Sequence, residues 1–291
     1  MKLFNRFNRF TKQRRALPRP TYPLPAADLF PTPLIAHFSY HKCLTVYYIR
    51  ILRRLSNEFG FIYEHLNADR DSFVAKAITG DGKRVLSINN RSDIPWAQLP
   101  PFQATHFVRD PRDLVVSGYR YHLWTQEAWC INPQFKWHTL VQHPLFGHVE
   151  ADPRKYPKDI SYQEYLKTLA PERGLLLEML WRQPHFRQMQ VWAPPNKNVL
   201  ELRYEDIIGN EPEMFQRAFA HYGFHPQLSA RGVALAEEYS LKNQTTRPAH
   251  HIRKGTRAQW RDEFTPLVKQ LFKQEWNPLL LQLGYAHDAD W

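Results

Sequence analysis

The chain has 291 residues, 43% hydrophobic and 14% aromatic, which suffices for a packed core and excludes an intrinsically disordered protein. Lys and Arg number 39 against 28 Asp and Glu, a net charge of +11; such a surface suits nucleic acid, an anionic membrane or a small polyanion, and charge alone does not choose among them. Only Cys43 and Cys130 are present, so no disulfide framework holds the fold, and with no apolar run long enough to cross a bilayer we expect a cytoplasmic protein without a transmembrane segment.

The first fifteen residues carry Lys2, Arg6, Arg9, Lys12, Arg14 and Arg15 without an acidic residue and read as a flexible arm rather than a nucleic-acid reader. Pro18, Pro20, Pro23, Pro25, Pro31 and Pro33 then make an extended lead-in, so residues 1–33 stand outside the expected domain, 34–291. Leu34 to Phe38 is a short apolar run suited to a buried parallel strand. Tyr48, Ile49, Leu52, Leu55 and Phe59 share one helical face, with Gly60 as the stop. Phe61 to Tyr63 and Arg84 to Ile88 read as short strands, and Thr105 to Val108 with Leu114 to His122 as a second strand-loop-helix unit. Residues 130–157, rich in Pro, His and aromatics without a period, read as a long excursion, a lid or acceptor wall. Tyr162 to Gln190 is predicted helical except at Pro184, Val199 to Leu202 a strand and Glu211 to Tyr222 a helix. This alternation implies an α/β fold, a mostly parallel central sheet with helices on both faces and ligands beyond the carboxyl ends of the strands.

Three loops and one strand end carry the candidate chemistry. Ser39 to Val46 joins the first strand to its helix and places Lys42 where backbone N–H groups converge; it lacks the glycines of G-x-x-x-x-G-K-[ST], and an ordinary strand-to-helix turn with a solvated lysine explains it slightly better. Phe107 to His122 runs from strand to helix through Arg109, Asp110 and Pro111, so that Arg109 and Ser117 would reach one oxyanion; the alternative is an Arg109 that merely pairs with Asp110 or Asp113, and the two readings stand about even. Arg253, Lys254 and Gly255 describe a basic turn able to approach a phosphate, or a surface turn. Tyr204, at the end of the Val199 strand, either stacks on a base or packs in the core.

Taken in order, these four segments resemble the sulfotransferase family that uses 3'-phosphoadenosine 5'-phosphosulfate (PAPS). The Lys42 loop is similar to the family's 5'-phosphosulfate loop, typically P-K-[ST]-G-T-[TS]-W; Phe107 to His122 resembles its 3'-phosphate motif, Leu202 to Asp206 its Y-E-D strand end, and Arg253 to Gly255 with Trp260 and Phe264 its R-K-G loop. The resemblance implies a P-loop-like nucleotide-binding architecture in which Lys42 is catalytic and Cys43, Leu44, Thr45 and Val46 surround the 5'-phosphate. It further implies Arg109 and Ser117 on the 3'-phosphate, Arg253, Lys254 and Gly255 closing over it, and Tyr204 near adenine. Leu44 replaces a glycine, so we expect a loop unable to take a positive φ freely, and Val46 replaces a hydroxyl.

The family also implies a general base between the first loop and the 3'-phosphate motif. Glu64 and His65 rank first, ahead of Asp93 and of His122 on the motif helix. No magnesium is required where Arg and Lys hold a nucleotide bisphosphate, and no zinc site is expected, because His138, His143 and His148 recur at a spacing wrong for one helical face and lack a carboxylate or cysteine partner. The product would be 3',5'-bisphosphoadenosine (PAP) and the acceptor a small-molecule, sugar or lipid hydroxyl or amine, with Trp124, Trp129 and Trp137 as candidate acceptor-site aromatics; no nucleic acid partner is expected. A P-loop nucleotide kinase and a non-catalytic basic binding protein for nucleic acid or anionic polysaccharide are the competing readings.

Overall fold

The computed structural model describes residues 24–80, 82–152, 158–194, 197–243 and 257–291. The strands are β1 Leu34–Ser39, β2 Ile62–His65, β3 Arg84–Asn89, β4 Phe102–Val108 and β5 Val199–Arg203. The helices are α1 Thr45–Phe59, α2 Arg70–Thr79, α3 Pro111–His122, α4 Ala128–Ile131, α5 His138–Val141, α6 Phe146–Val149 and α7 Tyr162–Thr168, then α8 Pro171–Trp181, α9 Gln183–Gln190, α10 Tyr204–Ile207, α11 Glu211–Tyr222, α12 Pro226–Glu238, α13 Trp260–Glu263 and α14 Pro266–Gln282.

All five strands are parallel, in the order β2-β3-β1-β4-β5. The central position of β1 explains its composition: Leu34 to Ser39 is buried throughout, because helices cover both faces. Ile35, Val85 and Phe107 face a core shared with Leu52 and Leu55 of α1 and Phe215 of α11, while Leu34, Ala36, Phe38, Leu86 and Ile88 meet Phe73 and Ala77 of α2. Period-two alternation along each strand produces this division. From β1 the chain goes out to β2, returns through β3, and crosses β1 to reach β4, so the order reverses between β1 and β4 and a crevice opens beyond their carboxyl ends.

The boundaries expected from sequence hold for most of these elements; the Tyr162 to Gln190 stretch breaks at residues 169–170 and at Arg182 rather than at Pro184, which sits in the first turn of α9, and three further differences stand out. The lead-in does not end at residue 33 as a separate segment: Leu29 and Phe30 are almost fully buried, Phe30 packing against Phe61 and Phe224, and the Leu29 carbonyl accepts from the His225 amide. The excursion is folded where described, with α4, α5 and α6 burying Cys130, Trp137, Leu145, Phe146 and Val149. Helices α2, α12 and α14 carry no sequence assignment; Asp69 caps α2 by accepting from the Ser72 amide, and Pro266 opens α14 behind the Thr265 cap.

Candidate active site

The loop after β1 is a sharp reversal closed by the Cys43 amide on the Tyr40 carbonyl at 2.9 Å, and the Tyr48 amide on the Leu44 carbonyl at 3.0 Å begins α1. Lys42 and Leu44 adopt positive φ, 74° and 60°. Leu44 therefore takes the left-handed conformation that a leucine does not adopt freely. Its side chain packs against the main core, and that anchorage offsets a strain of roughly 1–2 kcal/mol. Leu44 is also the N-cap of α1 and offers no side-chain cap, so the first N–H groups of this 15-residue helix have neither an intrahelical acceptor nor a side-chain cap among the described residues. Thr45 Oγ1 lies 2.9 Å from Ser39 Oγ, Cys43 is buried with its thiol pushed up to about 12 by burial, and Val46 is 70% exposed in the first turn.

Arg109 lies at the end of β4, the strand beside β1. Its Nη1 donates to the Lys42 carbonyl at 3.2 Å, which ties the two sequence motifs together across the switch point. The even alternative for Arg109 is decided by its neighbours. Asp110 caps α3 and pairs with Arg112 at 2.7 Å, and Asp113 accepts from the Ala258 and Trp260 amides at 2.9 and 3.0 Å. Neither carboxylate forms an ion pair with Arg109. The guanidinium instead lies 3.9 Å from the Tyr204 ring centroid, and its Nε is buried with no hydrogen-bond partner among the described residues. Tyr204 thus stacks on Arg109 at the mouth of the crevice. Ser117, two turns into α3, is partly buried and its hydroxyl has no partner among the described residues. Arg253, Lys254 and Gly255 lie outside the described residues; Asp113 anchors the chain just after them to the start of α3.

Lys42 Nζ sits 3.8 Å from the Tyr121 ring centroid and has no ion pair among the described residues. Burial, with Arg109 and Arg182 nearby, brings its pKa down to about 7. Behind the lysine lies a network the sequence reading missed. Glu178 of α8 is fully buried, 2.7 Å from His122 Nδ1, 2.9 Å from the Tyr162 hydroxyl and 2.8 Å from Arg182 Nε. Arg182 in turn reaches the His41 carbonyl at 3.5 Å, and His41 stacks on His122 with ring centroids 5.4 Å apart. Helix α3 approaches this network closely because residue 118 is glycine: a Cβ there would lie 1.9 Å from Glu178 Oε1 and 2.2 Å from Arg182 Nη2. The only sequence signal was an E-x-x-x-R pair, Glu178 within the apolar run Leu175 to Trp181 and Arg182 just after it.

The expected bases are not gathered here. Glu64 is on the outer strand β2, two strands or roughly 10 Å from β1, and pairs with Lys76 at 2.8 Å. His65 bonds Ser87 Oγ at 2.9 Å, and burial, with Arg53 nearby, lowers its pKa to about 4. Asp93 is held by Arg70 and Arg91. His122 is at the site but sealed, with no exposed surface and its Nδ1 on Glu178. Of the three tryptophans, Trp137 is core, whereas Trp124 and Trp129 remain partly exposed beside Tyr121 and His122.

A sulfotransferase domain model matches residues 103–282, more than half of the chain. The chain belongs to the sulfotransferase domain family. The match spans the Arg109 motif, Tyr204 and the Arg253 segment, and it begins after the Lys42 loop, which geometry alone attaches to the rest of the enzyme. Among solved structures, a mouse sulfotransferase, SULT7A1, complexed with PAP is 17% identical, covering 87% of this chain and 88% of that one with a TM-score of 0.46. Retinol dehydratase in complex with androsterone and the inactive cofactor PAP is 16% identical, covering 88% and 84% with a TM-score of 0.47. Retinol dehydratase with retinol and PAP is 17% identical over the same shares, with a TM-score of 0.46. No curated protein matches the sequence.

Proposed function

We propose that this sulfotransferase takes its sulfuryl group from PAPS and passes it to a hydroxyl or amine of a small-molecule, sugar or lipid acceptor, with Lys42 and Arg109 holding opposite ends of the donor. The observation that carries this reading is the pair itself. Two cations without an ion pair among the described residues, joined through the Lys42 carbonyl, flank the uncapped start of a 15-residue helix. Leaving charge and helix N–H groups unpaired is costly, and two phosphate groups would satisfy both. The motif resemblance supports a 5'-phosphosulfate at Lys42 and the Leu44 to Val46 turn, and a 3'-phosphate at Arg109 and Ser117. Arg253, Lys254 and Gly255 would close on the latter, with Tyr204 beside the adenine.

In this reading the donor supplies an activated sulfuryl group, and the chain supplies position and charge. Lys42 neutralises the 5'-phosphate oxygen as the bond to sulfur breaks, the moment at which charge develops there. The loop N–H groups hold the same phosphate without having to reorganise. Thr45 is oriented by Ser39, while Val46 contributes only surface.

Calorimetry with PAP, and with ATP plus Mg²⁺, tests the donor assignment. PAP should bind without metal and raise the melting temperature, and radiolabelled PAPS should transfer its sulfate to some member of a panel of phenols, sugars, lipids and amines. Stabilisation by ATP and Mg²⁺ alone would return the chain to the kinase reading.

A further inference from the structure

The reaction needs a group on the acceptor side, and every base expected from sequence is engaged elsewhere or sealed. Glu127 is a carboxylate that is both close to Lys42 and partly exposed. Glu127, the N-cap residue of α4, lies one tyrosine ring away from Lys42: Lys42 Nζ stands on the face of Tyr121, and the Tyr121 hydroxyl donates to Glu127 Oε1 at 2.8 Å. Trp129 Nε1 donates to its Oε2 at 2.6 Å, and His41 Nε2 lies 3.6 Å from Oε1. Its side chain nevertheless keeps 31% of its surface exposed, whereas Glu178, the other carboxylate of this region, keeps none.

We propose that Glu127 is the catalytic carboxylate of the acceptor side, receiving the acceptor's hydroxyl hydrogen bond and then its proton, a role that rests on the donor assignment above. A carboxylate offers about four lone-pair directions, and at most three are occupied among the described residues, so one remains for an acceptor. Tyr121 joins the two groups in one cluster, its ring face on Lys42 Nζ and its hydroxyl on Glu127, so the lysine that would hold the leaving oxygen and the carboxylate that would hold the acceptor share one wall. Trp124 and Trp129 flank the opening, partly exposed, as flat apolar walls.

Burial would raise the Glu127 pKa, but His41, Tyr121 and Trp129 outweigh it and bring it down to about 2. Such a group is a weak base, and a loose transition state suits one. The acceptor oxygen forms its bond to sulfur while the bond from sulfur to the 5'-phosphate oxygen breaks, its electron pair staying on the phosphate beside Lys42. Only then is the acceptor proton strongly acidic, and it passes to Glu127 and on to solvent. Orienting the nucleophile and accepting its proton is the role of the catalytic-loop aspartate in kinase phosphoryl transfer.

Water is an acceptor that needs no identification, so the test is release of labelled sulfate from PAPS, with PAP affinity measured alongside by calorimetry. Glu127→Gln should lower release about 100-fold while PAP affinity stays within twofold, and Glu127→Asp should recover part of the loss. The proposal is overturned if Glu127→Gln stays within threefold of wild type, if PAP affinity falls by the same factor as the rate, or if Glu64→Gln or His65→Gln costs more. It is overturned as well if wild-type release does not exceed that of Lys42→Ala. Failure of wild type to bind PAP would instead sink the donor assignment.

Discussion

The middle of the sheet and its outer edge both carry lysine, arginine and carboxylate on the strands and the segments that follow them, yet they use them oppositely. At the β2 edge each charge has a partner in reach of solvent: Glu64 with Lys76, and Asp93 with Arg70 and Arg91. Between β1 and β4, Lys42 and Arg109 have no such partner among the described residues, and the carboxylates nearest in sequence, Asp110 and Asp113, are bound to Arg112 and to backbone amides. Exposed pairs contribute little and can sit anywhere on the surface. Cations left open beside an uncapped helix are expensive unless a ligand completes them. Identical residue types are therefore paired at the surface in one place and left open in the other, which is what the proposed donor site rests on.

The largest effect that sharpens this contrast is expected at the lysines. Lys42→Ala should lower sulfate transfer about 100- to 1,000-fold with the melting temperature little changed, because it removes charge stabilisation at the leaving oxygen. Lys76→Ala should stay within twofold, and equal losses would erase the distinction. Next, Arg109→Ala should weaken PAP about 100-fold, as expected for losing a charge-assisted contact, while adenosine 5'-phosphate, which lacks the 3'-phosphate, changes less than threefold by calorimetry. Gly118→Ala should cost about 1–3 kcal/mol in urea denaturation, since its methyl would enter the Glu178 and Arg182 pair and one helix must shift. The smallest effect is in pH. Lys42 is cationic below about 7 in the free enzyme, and a phosphate favours the cation, so PAP affinity should be level from pH 6.5 down to where the phosphates protonate, near ~6. Above about 7 it should fall by up to about tenfold per unit, until the raised pKa of the bound lysine is reached. Lys42→Ala should flatten that slope.

Much of the fold was legible in the residues. The largely apolar runs of β1 and β3, the stop at Gly60, and Pro111 with its Asp110 cap follow from local rules, and they place the Lys42 and Arg109 loops at strand ends. Helices α2, α12 and α14 were missed because their apolar positions are set by what they pack against rather than by a clean surface period. The base candidates were misplaced for a similar reason. Sequence order put Glu64 and His65 between the two cofactor motifs, but the chain reaches β2 by stepping over the position that β3 later fills, which carries both away from β1.

By itself the sequence determined the sheet's strands, the two loops that bear Lys42 and Arg109, and the family motifs, because strand burial, helix starts and charge at a turn are properties of a few consecutive residues. Only the tertiary structure decided which charges stay unpaired, that Leu44 takes a left-handed conformation under its own packing, and that Glu127 faces Lys42 across Tyr121. Those outcomes depend on contacts between residues tens of positions apart, set by strand order and by the space that Gly118 leaves for a buried ion pair.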